Sequence, residues 1–351
     1  MTATGWPAPR LARLAAALAE TGLAGTAAAP TAADLVPLPA AGVAHDHVAI
    51  RGAGRVVRLP RMSQSGRAAA DNLTYQAACF ARAAASGATP RLHGLLQPSA
   101  DWPMGGLVVD AVAGRPPRLP DDLPAIARCL AAIHALPAPP AFAPLPLHAD
   151  PVGATLAAIA EQAAWLDRAD LAADSVALIR GEIAMAQAAA PALPAGRPPH
   201  LQALVVSDAH PGNYLVDADG KAWFVDLEKA AYGQPAIDIA HVTLPTSTGW
   251  DRRVAGSVAA ADVAAFESAW LAAVPAPVAD AVRPWLAPLR RLTWLRTVTW
   301  FARWRARSGL AGDPWSAADL PPPLRAHMAA HVASSLAPQA LRGIQAILPR
   351  W

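Results

Sequence analysis

"VVSDAHPGNYLVDADGKAWFVDLEKAAYGQPAIDIAHV", residues 205–242, stands apart from a chain otherwise dominated by Ala, Pro, Leu and Arg. With only 16% charged residues overall, the chain crowds acids and an amide into this one segment. Asp208 and Asn213 lie five residues apart in a loop that contains Pro211 and Gly212. "YLV", the turn "DADGK" and "AWFV" then spell a hairpin, with Asp219-Gly220 as its turn. A hairpin returns its far end to its start, so Asp226 is expected beside Asn213. Each residue alone reads as an ordinary turn former. Together, Asp208, Asn213 and Asp226 bring three oxygen-bearing side chains to one end of a rigid ribbon. Hard oxygen donors of this kind suit Mg²⁺, which takes one or two protein carboxylates together with substrate phosphates.

The spacing follows the logic of phosphoryl transfer. One Asp accepts the proton of a hydroxyl, an Asn five residues on holds metal, and a second metal-binding Asp follows a hairpin. On these residues the segment resembles the aminoglycoside phosphotransferase/choline kinase-like family of small-molecule kinases. Its members carry His-Gly-Asp-x-His-x-Gly-Asn, then Ile-Asp-Trp-Glu, then Gly-x-Pro-x-x-Asp-Leu-Ala. Here the three motifs read Val206-Ser207-Asp208-Ala209-His210-Pro211-Gly212-Asn213, then Val225-Asp226-Leu227-Glu228, then Gly233-Gln234-Pro235-Ala236-Ile237-Asp238-Ile239-Ala240.

The resemblance covers residues 33–305 and is most specific in 205–242. It implies an α+β, bilobal protein-kinase-like fold with a small β-rich N-terminal lobe and a larger, mainly helical C-terminal lobe. It also implies ATP-dependent transfer to the hydroxyl of a small molecule, with ATP and Mg²⁺ as cofactors. Asp208 would be the catalytic base, and Asn213 and Asp226 would hold Mg²⁺. Glu228 would face substrate or a second metal shell, Asp238 would brace the catalytic loop, and His210 would support it. Trp250 is expected to line the substrate mouth. In the small lobe, adenine would lie against Val109, Asp110 and Val112, and Arg58 would meet phosphate where relatives use Lys. Gln76 stands where a Glu usually pairs with that cation. "LAAIHALP", with His134, resembles the first helix of the large lobe.

Three features depart from the pattern. Val206-Ser207 replaces His-Gly, no Lys precedes Lys221, and "AAGVAHDH" (40–47) offers Gly42 alone in place of a glycine-rich loop. The loss of His-Gly, Lys and Glu together motivates an alternative reading, a nucleotide-binding pseudokinase acting as scaffold or regulator. A kinase acting on protein is disfavoured, because only six residues separate Asp226 from Gly233.

Composition narrows the remainder. A chain of 351 residues with 54% hydrophobic content supports two lobes. A net charge of +3 without an Arg run argues against nucleic acid. Cys79 and Cys129 have no paired spacing, which fits a reducing cytoplasm. No apolar run reaches membrane-spanning length, and the apolar block between Arg13 and Glu20 is too short for a signal peptide. A monomer or homodimer acting on a small-molecule hydroxyl substrate is expected.

The elements follow from periodicity. Residues 1–30 read as a helical extension, 31–112 as the nucleotide-binding lobe and 113–351 as the catalytic and substrate lobe. "HVAIR" and "RVVRL" flank Gly52-Ala53-Gly54 as a hairpin. Residues 66–86 read as a helix stopped by Gly87, and 91–97 and 105–114 as strands. "DDLPAIARCLAAIHAL" reads as a helix with acids in its first turn. Further helices are expected over 151–170, 174–191 and from 236 onward. In "RRLTWLRTVTWFARWRARSG" (290–309), core packing with arginine stacking is favoured over a cation-binding aromatic face.

Overall fold

The computed structural model describes residues 6–39, 42, 44–193, 201–313, 315–318 and 320–351. It divides into two compact units, Met1–Ala113 and Gly114–Trp351. The stretch read as lacking a glycine-rich loop includes positions 40, 41 and 43, which lie outside the described residues, as do positions 1–5 of the expected extension.

In the first unit, α1 (Ala8–Thr21) precedes β1 (Leu35–Pro37), β2 (His45–Ile50) and β3 (Arg55–Pro60). Then come α2 (Ala69–Ala83), β4 (Leu92–Leu96) and β5 (Gly106–Asp110). The strands form one antiparallel sheet in the order β1-β2-β3-β5-β4. Ile50 pairs with Arg55, so β2 and β3 are joined by a tight turn in which Gly52 and Gly54 take left-handed φ values of 69° and 61°. α1 places Leu11, Leu14 and Leu18 on one face, the spacing of a helix with a single buried stripe. Gly22 stops it in a left-handed conformation, its N–H returning to Ala19 O. That stripe joins Leu35, Val48, Ile50, Val57 and Val108 in one core, so the helix is part of the sheet's own packing. Trp6 stacks on Trp102 with ring centres 6.2 Å apart, and Arg10 lies over Trp6.

The second unit contains β6 (Arg118–Leu119), α3 (Leu123–His134), α4 (Pro151–Ala163), α5 (Ala173–Ala189) and β7 (Ala203–Val205). The segment between β7 and the next helix holds β8 (Tyr214–Val216), β9 (Ala222–Phe224) and β10 (Ala231–Gly233). The remaining elements are α6 (Ala236–Thr243), α7 (Pro245–Thr248), β11 (Ala255–Gly256), α8 (Ala260–Ala273), α9 (Ala276–Val282), α10 (Leu286–Arg307), α11 (Pro322–Ser335) and α12 (Pro338–Ile347). α10 is the central helix and lies against α4, α5, α6 and α11. Leu289, Leu292, Leu295, Val298 and Ala302 are fully buried along it.

The acids expected in the first turn of α3 lie just outside it. The helix begins at Leu123, and the Asp122 carboxylate instead receives both Arg115 guanidinium nitrogens (2.6 and 3.1 Å) and the N–H of Arg118. A paired, multiply bonded carboxylate outweighs the modest gain available at a helix end. Among the described residues no helix is long and apolar enough to cross a membrane.

Truncating the α1 stripe tests its share in the core. Leu14→Ala should lower the unfolding free energy by about 2–5 kcal/mol, the usual range for a fully buried Leu. Urea denaturation followed by tryptophan fluorescence measures this, and a loss no larger than that of Ala16→Gly would show that the helix is not core.

Candidate active site

In the second unit, β7 runs into the loop that carries Asp208, and β10 lies antiparallel to it with Ala231 opposite Val205. Between them, the β8–β9 hairpin pairs Tyr214 with Phe224. The N–H of Val225 donates to Asn213 O at 2.9 Å, which sets Asp226 next to Asn213 along the ribbon. The Asn213 amide donates to Asp208 O at 2.8 Å. That bond uses the nitrogen, so the Asn213 carbonyl oxygen is the side-chain atom left to serve as a ligand. Asp226 and Glu228 each offer a carboxylate oxygen within 4.8 Å of the other. Asp226 and Glu228 offer carboxylate oxygens and Asn213 an amide oxygen, donor types that suit Mg²⁺ chemically.

The loop is held from behind. Asp238, fully buried on α6, accepts the N–H groups of Val206 (2.6 Å) and Ser207 (2.8 Å). His134 at the end of α3 contacts the same carboxylate through Nε2 at 3.0 Å. Trp270 on α8 donates its indole N–H to His134 Nδ1 at 3.1 Å. An indole nitrogen only donates, so Nδ1 accepts and Nε2 carries the proton toward Asp238. On the other side, Arg296 of α10 donates to Ser207 O at 3.0 Å.

Two positions show why the motif has its residue types. Ser207 holds φ of 61°, a left-handed conformation in which glycine is strain-free. This is the position where the family motif has Gly, and here the strain is borne because both Ser207 backbone groups are bonded. At Gly212, a Cβ would come within 2.5 Å of Asp251 Cβ, so the loop can press against that residue only without a side chain. Asp251 is itself buried and held by Arg253 at 2.6 Å.

Lys229 Nζ lies 2.5 Å from Asp208 Oδ2, and His241 Nδ1 lies 3.8 Å from Oδ1. Burial by itself would raise the Asp208 carboxyl, but Lys229 foremost, together with His210 and His241, outweighs it and holds the group well below the usual carboxylate range. Burial pushes His241 down to about 3 and lowers His210 as well. Lys229 is held protonated by Asp208 and Glu228 against its own burial.

Trp250 sits in an aromatic cluster beside α10. Its ring stacks on Phe301 at 5.7 Å and meets Trp300 edge-on at 5.4 Å, with His331 at 6.1 Å. Arg303 and Arg307 lie over Trp315, while Arg296 turns to the Asp208 loop. In the first unit, Arg58 is buried on β3 with its guanidinium 5.4 Å from the Phe80 ring. Gln76 is buried on α2 and its Oε1 bonds His45 Nε2 at 3.3 Å. Val109 is buried on β5. The N–H groups of Asp110 and Ala111 donate to Arg91 O and Gly54 O, and the Asp110 carboxylate is occupied by His93 and Arg91. Val112, just beyond the strand, is half-buried.

Sequence reasoning missed Lys229, His241, Trp270 and the Arg296 contact. Lys229 had a visible signal: it is one of two lysines in the chain and follows Asp226 by three residues. His241 had another, one α-helical turn after Asp238. The Trp270 contact spans 136 residues and leaves no local trace.

The support of the loop makes a graded prediction. Asp238→Ala orphans three donors and should cost roughly 3 kcal/mol or more, whereas Trp270→Phe removes one hydrogen bond and should cost about 1 kcal/mol. Urea unfolding of both variants measures the difference, and equal losses would show that Asp238 is not the centre of the network.

The sequence model described as "Phosphotransferase enzyme family" matches residues 36–285, more than half of the chain. No curated protein sequence matches significantly. Among solved structures, a choline/ethanolamine kinase family protein from Mesorhizobium loti is similar at 17% identity and a TM-score of 0.54, over 92% of this chain and 94% of that one. A macrolide 2'-phosphotransferase from Brachybacterium faecium is similar at 16% identity and 0.54, over 92% and 98%. A Plasmodium vivax ethanolamine kinase is similar at 11% identity and 0.55, over 89% and 85%. At these identities the structural likeness is one of fold, the protein-kinase-like α+β architecture. Through the sequence match, the chain belongs to the phosphotransferase enzyme family and is a small-molecule phosphotransferase.

Proposed function

We propose that the protein transfers the γ-phosphoryl group of ATP to a hydroxyl of a small molecule, with Asp208 as base. The observation that carries this reading is the loop itself. An ionised carboxylate stands on a backbone clamped at Val206 and Ser207, with the Asn213 amide bonded to its own carbonyl. Such a loop holds Asp208 where it can orient an alcohol and take its proton as the oxygen attacks phosphorus and the bond to the ADP leaving oxygen breaks. Positioning of that kind, with general-base assistance, is the main contribution a protein makes to phosphoryl transfer.

Asn213 and Asp226 would hold Mg²⁺, with Glu228 beside them. When bound, the ion would offset negative charge on the β- and γ-phosphates. In the first unit, Arg58 would supply a cation to phosphate from β3, where its guanidinium lies over the Phe80 ring. A guanidinium suits that role through its fixed donor fork. Since the N–H groups of Asp110 and Ala111 are already committed, Val112 is the member of that segment that would meet adenine, against Val109. His210 and Asp238 support the loop. Trp250 would contribute to the acceptor side as a member of its aromatic cluster. Cys79 and Cys129 are buried and are not joined in a disulfide, which suits a reducing cytoplasm.

Release of ADP with a panel of hydroxyl metabolites tests the reading. Asp208→Asn should lower turnover by about 10²–10⁴-fold while leaving Mg-ATP binding in place. Asp226→Asn should instead raise the Mg²⁺ concentration needed for half-maximal ATP binding, measured by calorimetry. If wild type and Asp208→Asn bind Mg-ATP alike and neither turns it over, the protein is a nucleotide-binding scaffold.

A further inference from the structure

The pairing of β7 with β10 has a consequence for the acceptor. β10 opens at Ala231 opposite Val205, and Lys229 sits in the turn just before it, where the N–H of Ala230 donates to Leu227 O at 3.1 Å. The Lys229 side chain therefore reaches Asp208 from a framework that also holds the loop, and its ammonium lies 2.5 Å from Asp208 Oδ2. Both side chains retain some exposure, 31% and 20%, so the pair borders solvent and is not sealed in the core. The other groups near Asp208 do not compensate for this cation. Arg296 is engaged with Ser207 O and adds positive charge of its own. The acids that share Lys229 are Asp226 and Glu228, the residues assigned to the metal side.

We propose that Lys229 selects the acceptor by charge: the reacting alcohol is uncharged or anionic near its hydroxyl, and cationic alcohols are rejected. This rests on Asp208 being the base. An alcohol bearing an ammonium group close to its hydroxyl would have to share the Asp208 carboxylate with a resident ammonium or displace it. A built-in like charge is a repulsive element of specificity. An uncharged alcohol meets no such penalty, and an anionic one gains a donor from Lys229 itself.

Binding of kanamycin, a polycationic amino-sugar alcohol, tests the proposal without turnover. It is measured by calorimetry with wild type, Lys229→Gln, Lys229→Arg and the double variant Asp208→Asn/Lys229→Gln. Glutamine keeps a hydrogen-bond donor near Asp208 but removes the charge, and circular dichroism checks the fold of each variant. Lys229→Gln should bind kanamycin at least about tenfold more tightly than wild type, the scale of one like charge removed a few ångströms away. Lys229→Arg should bind as wild type does, and the double variant should lose the gain. No gain in Lys229→Gln, or a gain that survives loss of the Asp208 charge, overturns the proposal. Failure of the base reading shows elsewhere, as wild-type ADP release by Asp208→Asn alone.

Discussion

The site depends on one buried carboxylate. Asp238 has no solvent to hydrate it, and a bare charge there would be prohibitive. It is tolerated because two backbone N–H groups and the His134 imidazole converge on it. The same bonds freeze the backbone at Val206 and Ser207, immediately before Asp208. Three helices contribute: α6 supplies the carboxylate, α3 the histidine and α8 the indole that fixes the histidine tautomer. Through the backbone, Asp238 thereby determines where the Asp208 side chain stands.

That clamp also explains a departure from the family motif. Glycine is favoured before the catalytic-loop Asp because the backbone there is left-handed. Ser207 takes the same conformation and bears the strain, since its N–H is held by Asp238 and its carbonyl by Arg296. Tertiary bonds on both sides of one peptide replace what glycine would provide through conformational freedom. Electrostatics are organised in the same compact way. Lys229 lies in direct contact with Asp208, which gives the loop a charge balance unlike that of a purely acidic site.

Much was legible because it is local. The β2–β3 hairpin is written in the glycines at 52 and 54 and in the alternation around them, and the α1 stripe in three leucines at helical spacing. Asn213 and Asp226 come together because a short hairpin leaves its ends no freedom to separate. What was not legible involves long sequence separation or competition between partners. Gln76 bonds His45, a partner 31 residues away on β2. Asp122 serves Arg115 and Arg118 rather than the end of α3, since two guanidinium bonds outweigh a helix dipole. Trp250 joins an aromatic cluster built from α10 and α11, with Phe301 and His331 lying 51 and 81 residues downstream.

The order of residue types from 205 to 242 by itself determined that three oxygen donors and a hairpin share one short segment, because covalent spacing and turn chemistry act over a few residues. Only the tertiary structure decided the conformation of the loop and the charge beside its central carboxylate. Those depend on Asp238, His134, Trp270, Arg296 and the register of β10 against β7, groups that meet because packing brings distant helices and strands together and not because the chain spaces them so.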